Sequence, residues 1–358
     1  MYGRVSYKKQ FILGIMLLLT LITTVELISR IYEFSNPPCD FVKSEIFKDT
    51  NFYSLRQSCQ DHSVIKWTEE PFRQLIPNQH YPTVHVNSDG FRGAEINNDD
   101  TYRIFVVGGS TVYGSGVSDN ETIPAKLEQE LKAKGFYGVQ VINAGVPGIH
   151  SFTEYALIKN KIIKFQPDLI VVYDGYNDLV RHFDDYYKTG EYESTAQLIR
   201  IISKNEYLRS GSVLIHTYFT LTNPRQVETF NIDTENIEKK SLAWRKTLNN
   251  ICELGRESDF QTIVILQPFL GTGTKKLSNE EQQIYAQNNH KQLVSDYESY
   301  RSQVNNLISY CFITKDMTGI FDDMNDPMFF DFAHLGPTGN EIVSKKIANE
   351  IINFIKLT

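Results

Sequence analysis

Four short blocks of this chain carry residues able to act together in acyl transfer. They are Gly108-Gly109-Ser110-Thr111, Asn143-Ala144-Gly145, Gly175-Tyr176-Asn177-Asp178 and Asp331-Phe332-Ala333-His334. Ser110 offers a hydroxyl, which attacks poorly until a base takes its proton. His334 can be that base. Asp331, three residues earlier, can hold the imidazole in the tautomer that accepts the Ser110 proton and can stabilise the imidazolium that forms. The Ser110 N–H, the Gly145 N–H and the Asn177 side-chain amide can donate to an oxyanion. Each block alone is weak, because Gly-Gly-Ser and Asn-Asp are ordinary turn material. Together they make a nucleophile, a base, its orienting acid and three donors.

Other chemistries fit the residues less well. No Lys-Ser/Thr follows a spaced glycine, so a P-loop is excluded. Gly114-x-Gly116 lacks the third glycine of a dinucleotide fingerprint. Asp322, Asp323 and Asp326 precede His334, but no second histidine stands at ligand spacing, so no metal is expected. No cofactor is expected either.

The blocks need elements to carry them. Ile104 to Val107, Val139 to Ile142, Leu169 to Tyr173 and Thr262 to Leu266 are short apolar runs that read as buried strands. Helical patterns lie between them. Thr122 caps one that has Pro124 in its first turn and ends at Gly135. Others cover 155–165, 237–257 and 279–309, and the last runs from Thr338 to Lys356. Residues 321–334 read as a loop. Buried runs alternating with amphipathic helices imply an α/β fold, a parallel sheet covered on both faces. Ligands bind such sheets at the carboxyl ends of the strands. Ser110, Gly145 and Asn177 each follow one of the first three.

The N-terminus carries a second signal. Phe11 to Val25 holds no charge, Arg4, Lys8 and Lys9 precede it, and the apolar character continues to Tyr32. That is about the 20 residues a spanning helix needs. No small-x-small cleavage site is evident, which favours a retained anchor over a cleaved signal peptide. The positive-inside rule puts the N-terminus in the cytoplasm and the rest outside, a single-pass arrangement. Three regions follow: a cytoplasmic tip and transmembrane anchor over 1–32, a stalk and N-terminal extension over 33–100, and a main domain over 101–358. The last has an irregular insertion at about 180–235. The net charge of −7 argues against a nucleic-acid partner. Of the four cysteines, Cys39 and Cys59 flank a segment just past the apolar run. Outside the cytoplasm they can form a disulfide; otherwise they stay thiols.

In this order, the four blocks resemble those of the SGNH hydrolases, also called GDSL-type esterases and lipases. The resemblance covers Arg103 to Lys356. Ser110 matches the nucleophile, Gly145 the second-block glycine, Asn177 the asparagine of Gly-x-Asn-Asp, and Asp331 and His334 the closing Asp-x-x-His. Asn87 to Gly93 is similar to the extension of membrane-associated members. One departure is that Gly109 stands where the family has aspartate. The resemblance implies a three-layer α/β/α sandwich with a flavodoxin-like sheet, here behind a transmembrane helix.

The expected activity is that of a serine esterase working through an acyl-enzyme. The rivals are an O-acyltransferase passing the acyl group to a glycan, and a non-catalytic glycan-binding domain. Arg181, His182, Asp184, Asp185, Tyr186, Tyr187 and Tyr192 mix charge with aromatic faces, which suit sugar surfaces. They point to short acyl groups on a polar, carbohydrate carrier, unless they only coat a solvated helix. The expected partners are thus an acyl ester, on a surface glycan or lipid, and the membrane itself.

Overall fold

The computed structural model describes residues 6–35, 39–97, 101–181, 236–287, 290–307, 309 and 311–355. These fall into two compact units, with the N-terminal helix in one and residues 41–181 and 236–355 in the other. The N-terminal helix α1 runs from Tyr7 to Ser35, and Tyr7–Tyr32 is long and apolar enough to span a membrane. A signal sequence passes the same test. Several polar side chains of α1 are satisfied within the helix. The Thr20, Thr23 and Thr24 hydroxyls each donate to the carbonyl four residues back at 2.8 Å. Glu26 and Arg30 pair one turn apart at 2.9 Å.

The second unit is built on a five-stranded parallel sheet. Its strands are β1 (Tyr102–Gly108), β2 (Val139–Gly145), β3 (Leu169–Asp174), β4 (Gln261–Leu266) and β5 (Ile313–Asp316), in the order β2-β1-β3-β4-β5. Successive side chains in a strand point to opposite faces. Phe105, Val107, Ile170, Val172, Val264 and Leu266 line one face. Ile104, Val106, Leu169, Val171, Tyr173, Ile263 and Ile265 line the other. The first face is covered by α5 (Ser151–Asn160), α7 (Ile237–Glu257) and α9 (His290–Val304), through Leu157, Trp244, Leu248, Tyr297 and Tyr300. The second is covered by α4 (Ile123–Ala133) and α10 (Pro337–Ile351), through Ile123, Leu127, Leu131, Val343 and Ile347. The result is a three-layer α/β/α sandwich with the flavodoxin-like order the sequence implies.

Local signals explain the boundaries. Thr122 Oγ1 accepts the Ala125 N–H at 3.3 Å and caps α4. The expected helix over 279–309 is two helices, α8 (Asn279–Tyr285) and α9, with two consecutive weak helix formers, Asn288 and Asn289, between them in sequence. The expected helix over 155–165 begins earlier, at Ser151, and gives way to a 3₁₀ turn at Ile162. Strand β5 has no apolar run because it is an edge strand, only half buried.

Residues 41–97 fold with the sheet. They supply helix α2 (Phe52–Val64) and two short antiparallel ribbons, Trp67–Thr68 with Gln74–Leu75 and Gln79–His80 with His85–Val86. Cys252 on α7 is bonded to Cys311, just before β5. This pairing is not evident in the sequence. Cys39 and Cys59 are also disulfide-bonded, and no cysteine is free. Apart from Arg181, the insertion at about 180–235 lies outside the described residues. So do His182, Asp184, Asp185, Tyr186, Tyr187 and Tyr192.

Candidate active site

Strand β1 ends at Gly108, and the chain turns at Gly109 into the short helix α3 (Ser110–Tyr113). Ser110 therefore stands at the carboxyl edge of the sheet. Its Oγ lies 2.7 Å from His334 Nε2. His334 Nδ1 lies 2.7 Å from Asp331 Oδ2. The carboxylate can only accept, so Nδ1 carries the proton and Nε2 is left to take one from Ser110.

Asp331 is fixed by its own loop. Its Oδ1 accepts the N–H groups of Ala333 at 2.9 Å and His334 at 2.8 Å. Phe329 bridges to Leu335, and the Phe330 N–H donates to the His334 carbonyl at 3.2 Å, so residues 330–334 form a closed turn. The Phe330 ring stacks on the His334 imidazole at 5.7 Å and 11°. Phe41 and Phe47 of the N-terminal extension pack on Phe330, each at 5.6 Å. The imidazole thus has an aromatic wall behind it and a carboxylate at one nitrogen.

The electrostatics follow from this packing. Burial pulls the His334 imidazole towards neutrality, but the Asp331 charge and hydrogen bond outweigh it and raise its pKa above the ordinary 6.5. Burial also disfavours the Asp331 charge. The imidazolium and three N–H donors prevail and hold the carboxyl below its ordinary 3.8.

Asn177 lies in the first turn of α6 (Tyr176–Val180), just past β3. Its Nδ2 donates one N–H to the Ile149 carbonyl at 2.6 Å, which leaves the second N–H for a substrate. A Cβ on Gly109 would overlap this same Nδ2. The missing side chain at 109 is what lets the amide sit against the backbone beside Ser110. The Ser110 N–H donates to no described residue.

Gly145 does not fit the donor role expected of it. Its N–H donates to Asn143 Oδ1 at 3.0 Å, and its backbone is pressed against that of Val112 and Tyr113. The next glycine, Gly148, differs in this respect. Gly148 adopts φ +77, is exposed, and its N–H has no partner among the described residues. It immediately precedes Ile149, whose carbonyl holds Asn177. The Pro147-Gly148 dipeptide after β2 was the sequence signal for this turn.

A further residue missed in the sequence is Arg92. It is buried and donates to the Tyr113 carbonyl at 2.7 Å, to Gly114 at 2.8 Å and to Val117 at 2.7 Å. Its Nε donates to Asp119 at 2.8 Å, and its guanidinium lies 4.6 Å over the Tyr113 ring. The carbonyls at the end of α3 have no partner within so short a helix, and Arg92 satisfies them. Of the aspartates weighed as metal ligands, Asp322 accepts the Thr274 N–H at 2.6 Å. Among the described residues, no group of three or more His, Cys, Asp or Glu is placed to hold a metal ion.

No family model matches the chain, and no curated protein matches it in sequence. Several solved structures are similar in shape. An acetyl xylan esterase is 13% identical, with 70% of this chain and 99% of that one covered at a TM-score of 0.43. A lipase/acylhydrolase from Enterococcus faecalis is 16% identical, with 72% and 99% covered at 0.43. An acetylxylan esterase from Geobacillus stearothermophilus is 10% identical, with 72% and 96% covered at 0.40. At these values the functional reading rests on this chain's own residues. In the order of its blocks and the topology of its sheet, the chain resembles the SGNH, or GDSL-type, hydrolases.

Proposed function

We propose that this protein is a serine esterase with Ser110 as nucleophile, His334 as base and Asp331 as its orienting acid. The observation that carries the reading is the continuous line of hydrogen bonds from Asp331 through His334 to Ser110, 2.7 Å at each step. Ser110 Oγ attacks the ester carbonyl carbon as its proton passes to His334 Nε2. The carbonyl oxygen becomes an oxyanion, met by the Ser110 N–H and the free N–H of Asn177. Gly148 replaces Gly145 as the third donor, because the Gly145 N–H is already taken. The C–O bond then breaks, and His334 returns the proton to the departing alcohol. Water, activated by the same imidazole, attacks the acyl-enzyme and releases the acid.

We further propose that α1 is a retained anchor with the main unit outside the cytoplasm. The disulfides support this, since they persist in oxidising compartments. The carrier is proposed to be polar, a surface carbohydrate bearing short acyl groups, on the aromatic and charged composition of residues 181–192.

The test is labelling by a fluorophosphonate, followed by turnover of p-nitrophenyl esters of rising chain length. Wild type is expected to label and Ser110→Ala is not, with the thermal midpoint unchanged. Labelling that persists in the variant removes Ser110 as the nucleophile. Activity highest on acetate and steeply lower by octanoate fits the short-acyl reading; a rate that climbs with chain length overturns it.

A further inference from the structure

The residue after Asn177 has no role in the chemistry above, yet it is fully buried and heavily bonded. Asp178 Oδ1 accepts the Ser151 hydroxyl at 2.6 Å, and its Oδ2 accepts the Ser151 N–H at 3.0 Å. Ser151 is the first residue of α5 and is itself fully buried. Its N–H is one of those a helix start leaves unpaired, and a carboxylate is well placed there. This explains why α5 begins at Ser151.

The neighbouring residue grips the same loop. Asn177 binds the Ile149 carbonyl and Asp178 binds Ser151, so two consecutive residues of α6 hold two points on the segment after β2. Gly148 lies directly before the first of them. The double grip thus ties the segment that follows Gly148 to the start of α6.

The surroundings make the grip stiff. Asp174 and Glu154 are also buried. Burial, with repulsion from Asp178, pushes both carboxyls well above the usual carboxylate range, and Asp174 is further held in its protonated form by a hydrogen bond to Asp178. The Trp244 indole N–H donates to Asp174 at 3.2 Å. A hydrogen bond in such a setting has no water to replace it.

We propose that Asp178 is a positioning residue of the oxyanion hole. It ties the loop carrying Gly148 to the helix carrying Asn177, so the donors keep their places as charge develops on the substrate oxygen. The inference rests on the esterase reading above.

The test uses the full chain in detergent, with active sites counted by fluorophosphonate labelling taken to completion. Asp178→Ala, Asp178→Asn and Ser151→Ala are assayed alone, and Asp178→Ala also in an Asn177→Ala background. Loss of an oxyanion donor costs about 100- to 1000-fold in kcat, so Asn177→Ala should fall in that range. Misplacing the donors should cost less. Asp178→Ala and Ser151→Ala are expected to lower kcat per labelled site by about 10- to 100-fold, with KM within about threefold. Asp178→Asn keeps one acceptor and should retain more activity than Asp178→Ala. In the Asn177→Ala background, Asp178→Ala should add less than about threefold. A loss explained wholly by fewer labelled sites, with kcat per site unchanged, means that Asp178 serves the fold alone and overturns the proposal. Losses that multiply in the double variant also overturn it. A wild type that neither labels nor turns over ester removes the parent reading, and this one with it.

Discussion

His334 Nε2 and Ser110 Oγ are 2.7 Å apart in space and 224 positions apart in sequence. One follows the first strand of the sheet and the other lies in the turn before the last helix. The closure of the sandwich is what brings the proposed base and nucleophile together.

The base works only when it is neutral. Because His334 is raised above 6.5, turnover should rise with pH through a midpoint above that value. Asp331→Asn should lower the midpoint, since the raising carboxylate is gone, and should reduce kcat by about 1000-fold or more through the wrong tautomer. The pH profile of kcat/KM checks both. The stability trend runs the other way. A raised imidazole stabilises the fold fully below the unfolded value, and that contribution is lost as pH rises through the folded one. Asp331, held low, contributes above its unfolded 3.8, and this is lost as pH falls through the folded value. A midpoint below 6.5 would contradict the assigned pairing.

Gly109→Ala should separate catalysis from folding. Its new Cβ meets the end of the Asn177 side chain, which can swing aside at little cost to the fold. Swinging aside breaks the bond to Ile149 and removes the amide from the site. We expect kcat to fall by about 100- to 1000-fold, as for Asn177→Ala, with the thermal midpoint nearly unchanged. An unchanged kcat would mean that the amide plays no part in the transition state.

Arg92→Met should act on stability. It removes donors from three carbonyls and leaves Asp119 without its guanidinium. The expected cost is about 3 kcal/mol. Arg92→Lys should restore little of it, because one ammonium cannot reproduce the fork. Denaturant unfolding measures both.

Topology is open to direct measurement. Protease added to wall-free spheroplasts should digest the main unit and spare the extreme N-terminus. Thiol-reactive maleimide should label the protein only after reduction and unfolding, since no cysteine is free. A main unit shielded from protease would reverse the proposed orientation.

Much of this was readable in the sequence. Ser110 and Asn177 stand out because each follows a buried apolar run, and Asp331 and His334 because they precede a clear helix. The choice between Gly145 and Gly148 was not readable. It turns on which N–H the Asn143 side chain consumes, a contact with no periodicity to betray it. Strand β5 was hidden because its residues Ile-Thr-Lys-Asp lie half exposed at the sheet edge. The Cys252–Cys311 bond joins residues whose proximity exists only once α7 has docked beside β4 and β5. Arg92 was one basic residue in a turn-rich stretch, and nothing local shows that its partners lie past Ser110.

The position of Arg92 bears on where the proposed esterase unit begins. A chain started at residue 101 would contain every residue assigned a chemical step. It would lack the guanidinium that closes the end of the nucleophile's helix, and the two phenylalanines stacked behind the base through Phe330. The inventory of reacting groups and the smallest piece able to hold them in place therefore have different starting points. For shortened versions of this protein, the useful cut lies before Phe41, in the stretch that follows the apolar helix.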